Sequence, residues 1–220
     1  SDPDYVTRFK DAFPDERGRI GIDTIVKAIA AFERTLLSTR SPYDNFWYRK
    51  DATALTEQQI AGFELFFSER LECFHCHGDF NFQSSSTHDN TTFDEVLFHN
   101  NGLYNIDGEG AYPARDQGLY DVTHLASDRG RFKAPTLRNI TLTAPYMHDG
   151  SIATLDEVID MYAAGGRVIS DGPNAGDGRT HPNKSLFVKG FTLSSDERAA
   201  LLAFLGALTD EAFVTDPRHA

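Results

Sequence analysis

Apolar residues recur at helical spacing in several stretches, separated by polar segments rich in Gly, Pro, Asn and Asp. Ile22, Ile25, Val26, Ile29, Phe32 and Leu36 share one face of a helix over residues 22–37, a stripe expected to be core packing. Tyr5 to Phe13 reads as a shorter helix stopped by Pro14. Capping boxes open further helices. Thr56-Glu57-Gln58-Gln59 precedes Ile60, Phe63, Phe66 and Phe67; Thr154-Leu155-Asp156-Glu157 precedes Val158, Ile159, Met161 and Tyr162. The second of these helices closes at Gly165-Gly166. Ser194-Ser195-Asp196-Glu197 opens a last helix with Leu201, Leu202, Phe204, Leu205 and Leu208, expected to cross the one that starts after Thr56. Residues 38–54 are polar and turn-rich, with Ser41-Pro42-Tyr43-Asp44 expected to break the preceding helix. Residues 78–130 form a long, weakly periodic loop of the kind that wraps a ligand. Within it, His99-Asn100-Asn101-Gly102-Leu103 is expected to turn back toward a pocket.

The helix expected after Thr56 runs into Cys73-Phe74-His75-Cys76-His77. C-x-x-C-H is the attachment signal of c-type haem. The two thiols add across the porphyrin vinyl groups, and the histidine that follows becomes the proximal iron ligand. The chain has 2 cysteines, and the motif uses both. A redox dithiol does not need His77, and a zinc knuckle usually brings a second cysteine pair. His75, between the two anchors, reads as a surface residue. The fold expected is mainly α: a cytochrome c-like helical haem domain with long wrapping loops. The expected division is an N-terminal helical segment over 1–55 and the haem domain over 56–220.

Composition narrows the partners. With 33 acidic and 21 basic residues the net charge is -12, which argues against nucleic acid and favours a basic redox partner. No apolar run approaches the length of a membrane span. The chain opens on Ser1-Asp2-Pro3-Asp4, without an initiator Met or a signal peptide, so a processed product or fragment is expected. Covalent haem is attached outside the bacterial cytoplasm, which makes the expected location periplasmic.

Iron chemistry depends on the group opposite His77. Met147, His148, Met161, Tyr162, His99, His124 and an open site are all candidates. Thioether raises the haem potential, whereas phenolate stabilises ferric and higher oxidation states. Met161 and Tyr162 point about 100° apart on one helix, so only one can face the iron. Arg138 and Lys133 are candidate partners of the haem propionates, with solvated surface charge as the alternative. Trp47, beside Phe46 and Tyr48, reads as packing or as a redox relay.

The order of the runs Lys27-Ala28-Ile29-Ala30-Ala31-Phe32-Glu33-Arg34-Thr35-Leu36, Cys73–His77, Phe98–Leu103, Asp128–Asn139, Leu142–Gly150 and Ala153-Thr154-Leu155 resembles the C-terminal haem domain of bacterial dihaem cytochrome c peroxidases and MauG-type enzymes. The run Phe66–Gly78 is similar to MbnH-like members of that family. Classical peroxidases of the family carry an axial Met on the helix after the His-Asp-Gly turn, and MauG-type enzymes carry Tyr. Counted without gaps from His148, that place is Tyr162, so the resemblance implies a His77/Tyr162 haem; a shift of one residue gives Met161. It also implies a calcium ion held in part by the carbonyls of Thr143 and Pro145, between two domains. Family members have two C-x-x-C-H motifs and this chain has one. The second haem, which reacts with hydrogen peroxide, is then expected on a missing domain, in the same precursor or a partner chain; a natural one-haem relative is the alternative. The implied role is to store oxidising equivalents and pass them to a Trp or Tyr side chain of a protein substrate, or to a small redox protein, with Trp47 as a possible relay. The competing reading is an electron-transfer cytochrome c with His/Met ligation, or half of a classical peroxidase.

Overall fold

The computed structural model describes residues 2–84 and 97–219, so part of the long loop, 85–96, lies outside the described residues. Contacts divide the chain into two compact units, residues 1–40 with 211–220 and residues 41–210. In the first unit Asp2 caps α1 (Pro3–Ala12), and α2 (Ile22–Glu33) follows a turn at Gly18. The expected helix is there, four residues shorter at its C-terminus, but its apolar stripe is not core. Ile22 is 78% exposed and Phe32 55%, with Ile25, Val26 and Ile29 exposed as well. Periodicity fixes which face is apolar; it does not say whether anything covers that face.

The second unit begins earlier than the expected boundary at 55. Ser41 does not merely break a helix; it caps α3 (Pro42–Trp47). Its hydroxyl accepts from the Asp44 backbone N–H while the Asp44 carboxylate accepts from the Ser41 N–H, with Pro42 in the first turn. α3 delivers Tyr43 into the core of this unit, which is why the boundary falls before it. Thr56 and Gln59 form the expected capping box of α4 (Glu57–Phe66). α5 (Cys73–His77) is a single turn carrying the cysteines. Two short strands, β1 (Phe98–His99) and β2 (Phe132–Lys133), pair antiparallel on either side of α6 (Tyr120–Thr123). α7 (Leu155–Ala163) starts at the Thr154/Glu157 box and ends at Gly165 and Gly166, both with positive φ. β3 (Val168–Ile169) and β4 (Gly176–Asp177) form a second small ladder. α8 (Ser195–Gly206) begins at the Ser194/Glu197 box, and α9 (Glu211–Val214) belongs to the first unit.

α4 packs directly on α8. At Gly62 a Cβ would sit 2.0 Å from the carbonyl oxygen of Ala200, so only glycine allows the two backbones this close. Two apolar clusters result. Tyr43, Phe66, Leu71, Phe82, Ile159, Leu201, Phe204, Leu205 and Leu208 form one, to which α8 contributes Leu201, Phe204 and Leu205 and α4 Phe66. Leu103, Tyr104, Tyr112, Tyr146, Ile152 and Met161 form the other. Arg198 of α8 grips Asp156 and Asp160 of α7, each at 2.7 Å.

Candidate haem centre

The motif is presented by a strained entry. Glu72, the residue before α5, adopts a left-handed conformation (φ 60°), unusual for a non-glycine residue. Its carboxylate is fixed by the Lys189 ammonium and faces His75 Nε2 at 2.8 Å. His75, expected at the surface, is half-buried and stacks on Phe187, ring centroids 4.1 Å apart. Glu69, Glu72 and His75 are the one group of metal-type side chains found together among the described residues. Cys73 and Phe74 pack against the first cluster. Neither cysteine is in a disulfide, and burial pushes the Cys73 thiol up to about 12 and the Cys76 thiol up to about 11.

His77 is oriented by backbone alone. Its Nδ1–H lies 3.1 Å from the Phe82 carbonyl and 3.2 Å from the Pro135 carbonyl, which assigns the proton to Nδ1 and leaves the Nε2 lone pair available. Burial holds the ring below the usual histidine range, hence neutral. Phe82 directs its carbonyl this way from a left-handed backbone (φ 51°) while its own ring is fully buried.

α7 faces the motif from the other side. Met161 is buried in the second cluster, whereas Tyr162 lies close enough to Cys76 and Cys73 that charge on either sulfur would raise its phenol further. Burial already pushes that phenol up to about 12, and a hydrogen bond from Asn101 acts against the rise. The Asn101 amide also donates to Met147 Sδ at 3.3 Å. Of the other candidate ligands, His148 stacks on Phe132 at 3.7 Å, His124 is exposed at the end of α6, and His99 sits in β1 near His77.

A family model described as di-haem cytochrome c peroxidase matches residues 1–53. The methylamine utilization protein MauG of Methylorubrum extorquens is 32% identical over 98% of this chain and 52% of its own length. The chain belongs to the dihaem cytochrome c peroxidase/MauG family. Cytochrome-c peroxidase IdrP1 of Denitromonas iodatirespirans is 33% identical over 98% of this chain and 57% of its own. The crystal structure of a MauG-like protein associated with microbial copper homeostasis matches all of this chain and 62% of that one, with 49% identity and a TM-score of 0.90. The chain therefore spans about half the length of the curated relatives it matches.

Membership of this family implies haem c and a cytochrome c-like helical fold. The donor set fits that group: two thiols one helical turn apart, a neutral imidazole whose Nδ1 is held by carbonyls, and a buried phenol within electrostatic reach of the thiols. Arg138 is not the solvated surface charge of the alternative reading. It is buried, with Nη1 and Nη2 on Asp44 at 2.9 and 3.0 Å and Nη2 also on the Phe80 carbonyl. Its guanidinium thus braces the Phe80–Phe82 segment that orients His77. Lys133 is exposed in β2. Trp47 is 43% exposed at the end of α3, with the Lys50 ammonium 5.1 Å from its ring centroid. From Trp47 a series of rings, Phe63, Phe67 and Phe74, leads to the motif at centroid spacings of 5.6, 4.9 and 6.3 Å. Thr143 and Pro145 lie on an exposed turn. Sequence reasoning missed the carbonyls of Phe82 and Pro135, which carry no side-chain signal, and gave the Asn101 amide no role although its run was expected to turn back toward a pocket.

Proposed function

We propose that this chain is the part of a MauG-type peroxidase-family oxidoreductase that stores oxidising equivalents. Cys73 and Cys76 attach one haem c through thioethers, and His77 Nε2 and the Tyr162 phenolate are its axial ligands. When bound, the group supplies one-electron redox chemistry, tuned by its axial ligands. The placement of Tyr162 supports this reading: its buried phenol is within electrostatic reach of Cys76 and Cys73, whereas Met161 is a buried member of the second cluster. Hydrogen peroxide is the oxidant. Its two-electron reduction to water, with two protons, is matched by two electrons withdrawn from a Trp or Tyr side chain of a partner protein or from a small redox protein. The second haem resides outside this chain, in the same precursor or on a partner, and the location is the periplasm. No helix among the described residues is long and apolar enough to cross a membrane.

Trp47 serves in this reading as the surface end of a route for electrons entering from the partner, because tryptophan gives up an electron far more readily than the phenylalanines beneath it. Lys133, exposed in β2, is the propionate partner in this reading; Arg138 acts by holding Asp44 and the Phe80 carbonyl. Calcium on the Thr143 and Pro145 carbonyls requires ligands from elsewhere, since the ion takes six to eight oxygens. The test uses the enzyme with both haem domains. Intact mass and pyridine haemochrome give the haem count, and peroxide is then supplied with a tryptophan-bearing partner protein. Oxidation of that partner, lost in Tyr162→Phe, is expected. Peroxide turnover with small electron donors only, unchanged in Tyr162→Phe, would return the chain to the classical peroxidase or electron-carrier reading.

A further inference from the structure

The turn that leads into the cysteine motif carries a group of donor atoms that the haem reading does not use. The Ser68 carbonyl accepts from the N–H groups of both Leu71 and Glu72, and Glu72 then takes the left-handed conformation that opens α5. One helical turn on, the His75 ring is held by Phe74 and Phe187, each with its centroid 4.1 Å away. His75 Nε2 lies 2.8 Å from Glu72 Oε2 and 3.7 Å from Glu69 Oε2. Glu72 is only 9% exposed, yet its Oε2 has no hydrogen-bond partner. The imidazole is close to that oxygen without forming a hydrogen bond to it. The other oxygen, Oε1, accepts from the Lys189 ammonium, which also donates to the Glu69 main-chain carbonyl at 3.3 Å. Lys189 thus ties residues 69 and 72 together and leaves Oε2 facing the ring. A buried carboxylate oxygen without a donor is costly unless something else satisfies it.

We propose that Glu69, Glu72 and His75 form a binding site for a divalent transition-metal ion, of which zinc is the type. One imidazole nitrogen with carboxylate oxygens suits such an ion, whereas calcium and magnesium take oxygen ligands. The spacing agrees. With bonds of about 2.1 Å, donors 2.8 Å apart subtend about 85° at the ion and donors 3.7 Å apart about 125°. The donor atoms all lie within 4.8 Å of one another, and the Glu69 side chain, 79% exposed, can swing to complete the set. Water fills the remaining position, as in zinc sites with three protein ligands. The ion supplies the partner that Glu72 Oε2 lacks and joins residue 69 to residue 75, bracing the entry to the haem motif from outside. Neither cysteine nor His77 takes part, so the inference does not rest on the choice of sixth ligand. The competing account is a protonated His75 paired with two carboxylates, which needs no ion.

The experiment titrates zinc sulfate into tag-free, haem-loaded protein by isothermal titration calorimetry. Thioether bonds then remove the thiols from competition, and intact mass checks the haem in every variant. One equivalent of zinc should bind, and its X-ray absorption spectrum should show imidazole with oxygen ligands and no sulfur. His75→Ala should abolish the site. Glu69→Gln should weaken it about tenfold or more, since outer-shell contacts alone contribute about 10–100-fold to metal affinity. Glu69 is exposed, so this variant keeps the test alive if His75→Ala disturbs haem attachment. His124→Ala, which removes an exposed imidazole elsewhere, should bind zinc as wild type does. Absence of stoichiometric binding, sulfur ligation, loss of the site in His124→Ala, or an affinity unchanged by His75→Ala or Glu69→Gln would overturn the inference. His75 would then be an ion-pair partner of the two carboxylates and nothing more.

Discussion

The two faces of the centre are built by different means. On the cysteine face, His77 is aligned by two main-chain carbonyls, those of Phe82 and Pro135, backed by a wall of phenylalanines. On the α7 face, no main-chain hydrogen bond to the Tyr162 side chain is found among the described residues; its buried phenol packs against a tyrosine-rich cluster. No side-chain substitution deletes a carbonyl, so the first face resists single mutations; it yields only when the backbone behind it moves. The second face is made of side chains and is open to substitution.

The largest effect should come from the thiols. Cys73→Ala with Cys76→Ala is expected to abolish covalent haem, read as loss of the haem mass in the intact protein; haem still attached would refute the motif reading. Next comes the brace behind His77. Arg138→Met strands the buried Asp44 carboxylate, and removing one partner of a buried pair costs about 3–5 kcal/mol. Denaturant unfolding should register that loss, and adding Asp44→Leu should restore much of it. Full stability in Arg138→Met would mean that the pair does not hold this face. A smaller cost, about 1–3 kcal/mol, is expected for Gly62→Ala, where the new methyl meets the Ala200 carbonyl across the α4–α8 contact. Both changes strike the cysteine face, so neither should convert the sixth ligand; a change of that ligand in Gly62→Ala would blur the distinction between the faces.

What could be read from the sequence was local. The capping boxes at Thr56, Thr154 and Ser194 open the helices they were expected to open, because donor and acceptor lie three residues apart. The Ser41–Asp44 box has the same form, and only the proline within it made it look like a break. The stripe on α2 gave the helix but not its burial, which depends on atoms outside the helix. Arg138 could not be distinguished from surface charge, since its partner Asp44 is 94 positions away. The choice between Met161 and Tyr162 needed the direction in which α7 is rotated, which a cluster of residues from distant segments sets.

The most direct test is the ferric optical and EPR spectrum of the haem-loaded chain, wild type beside Tyr162→Phe. A phenolate-ligated, low-potential haem that loses this signature in the mutant is the predicted result. A spectrum with a methionine ligand, unchanged by Tyr162→Phe, would contradict the account and assign the iron to Met147 or Met161.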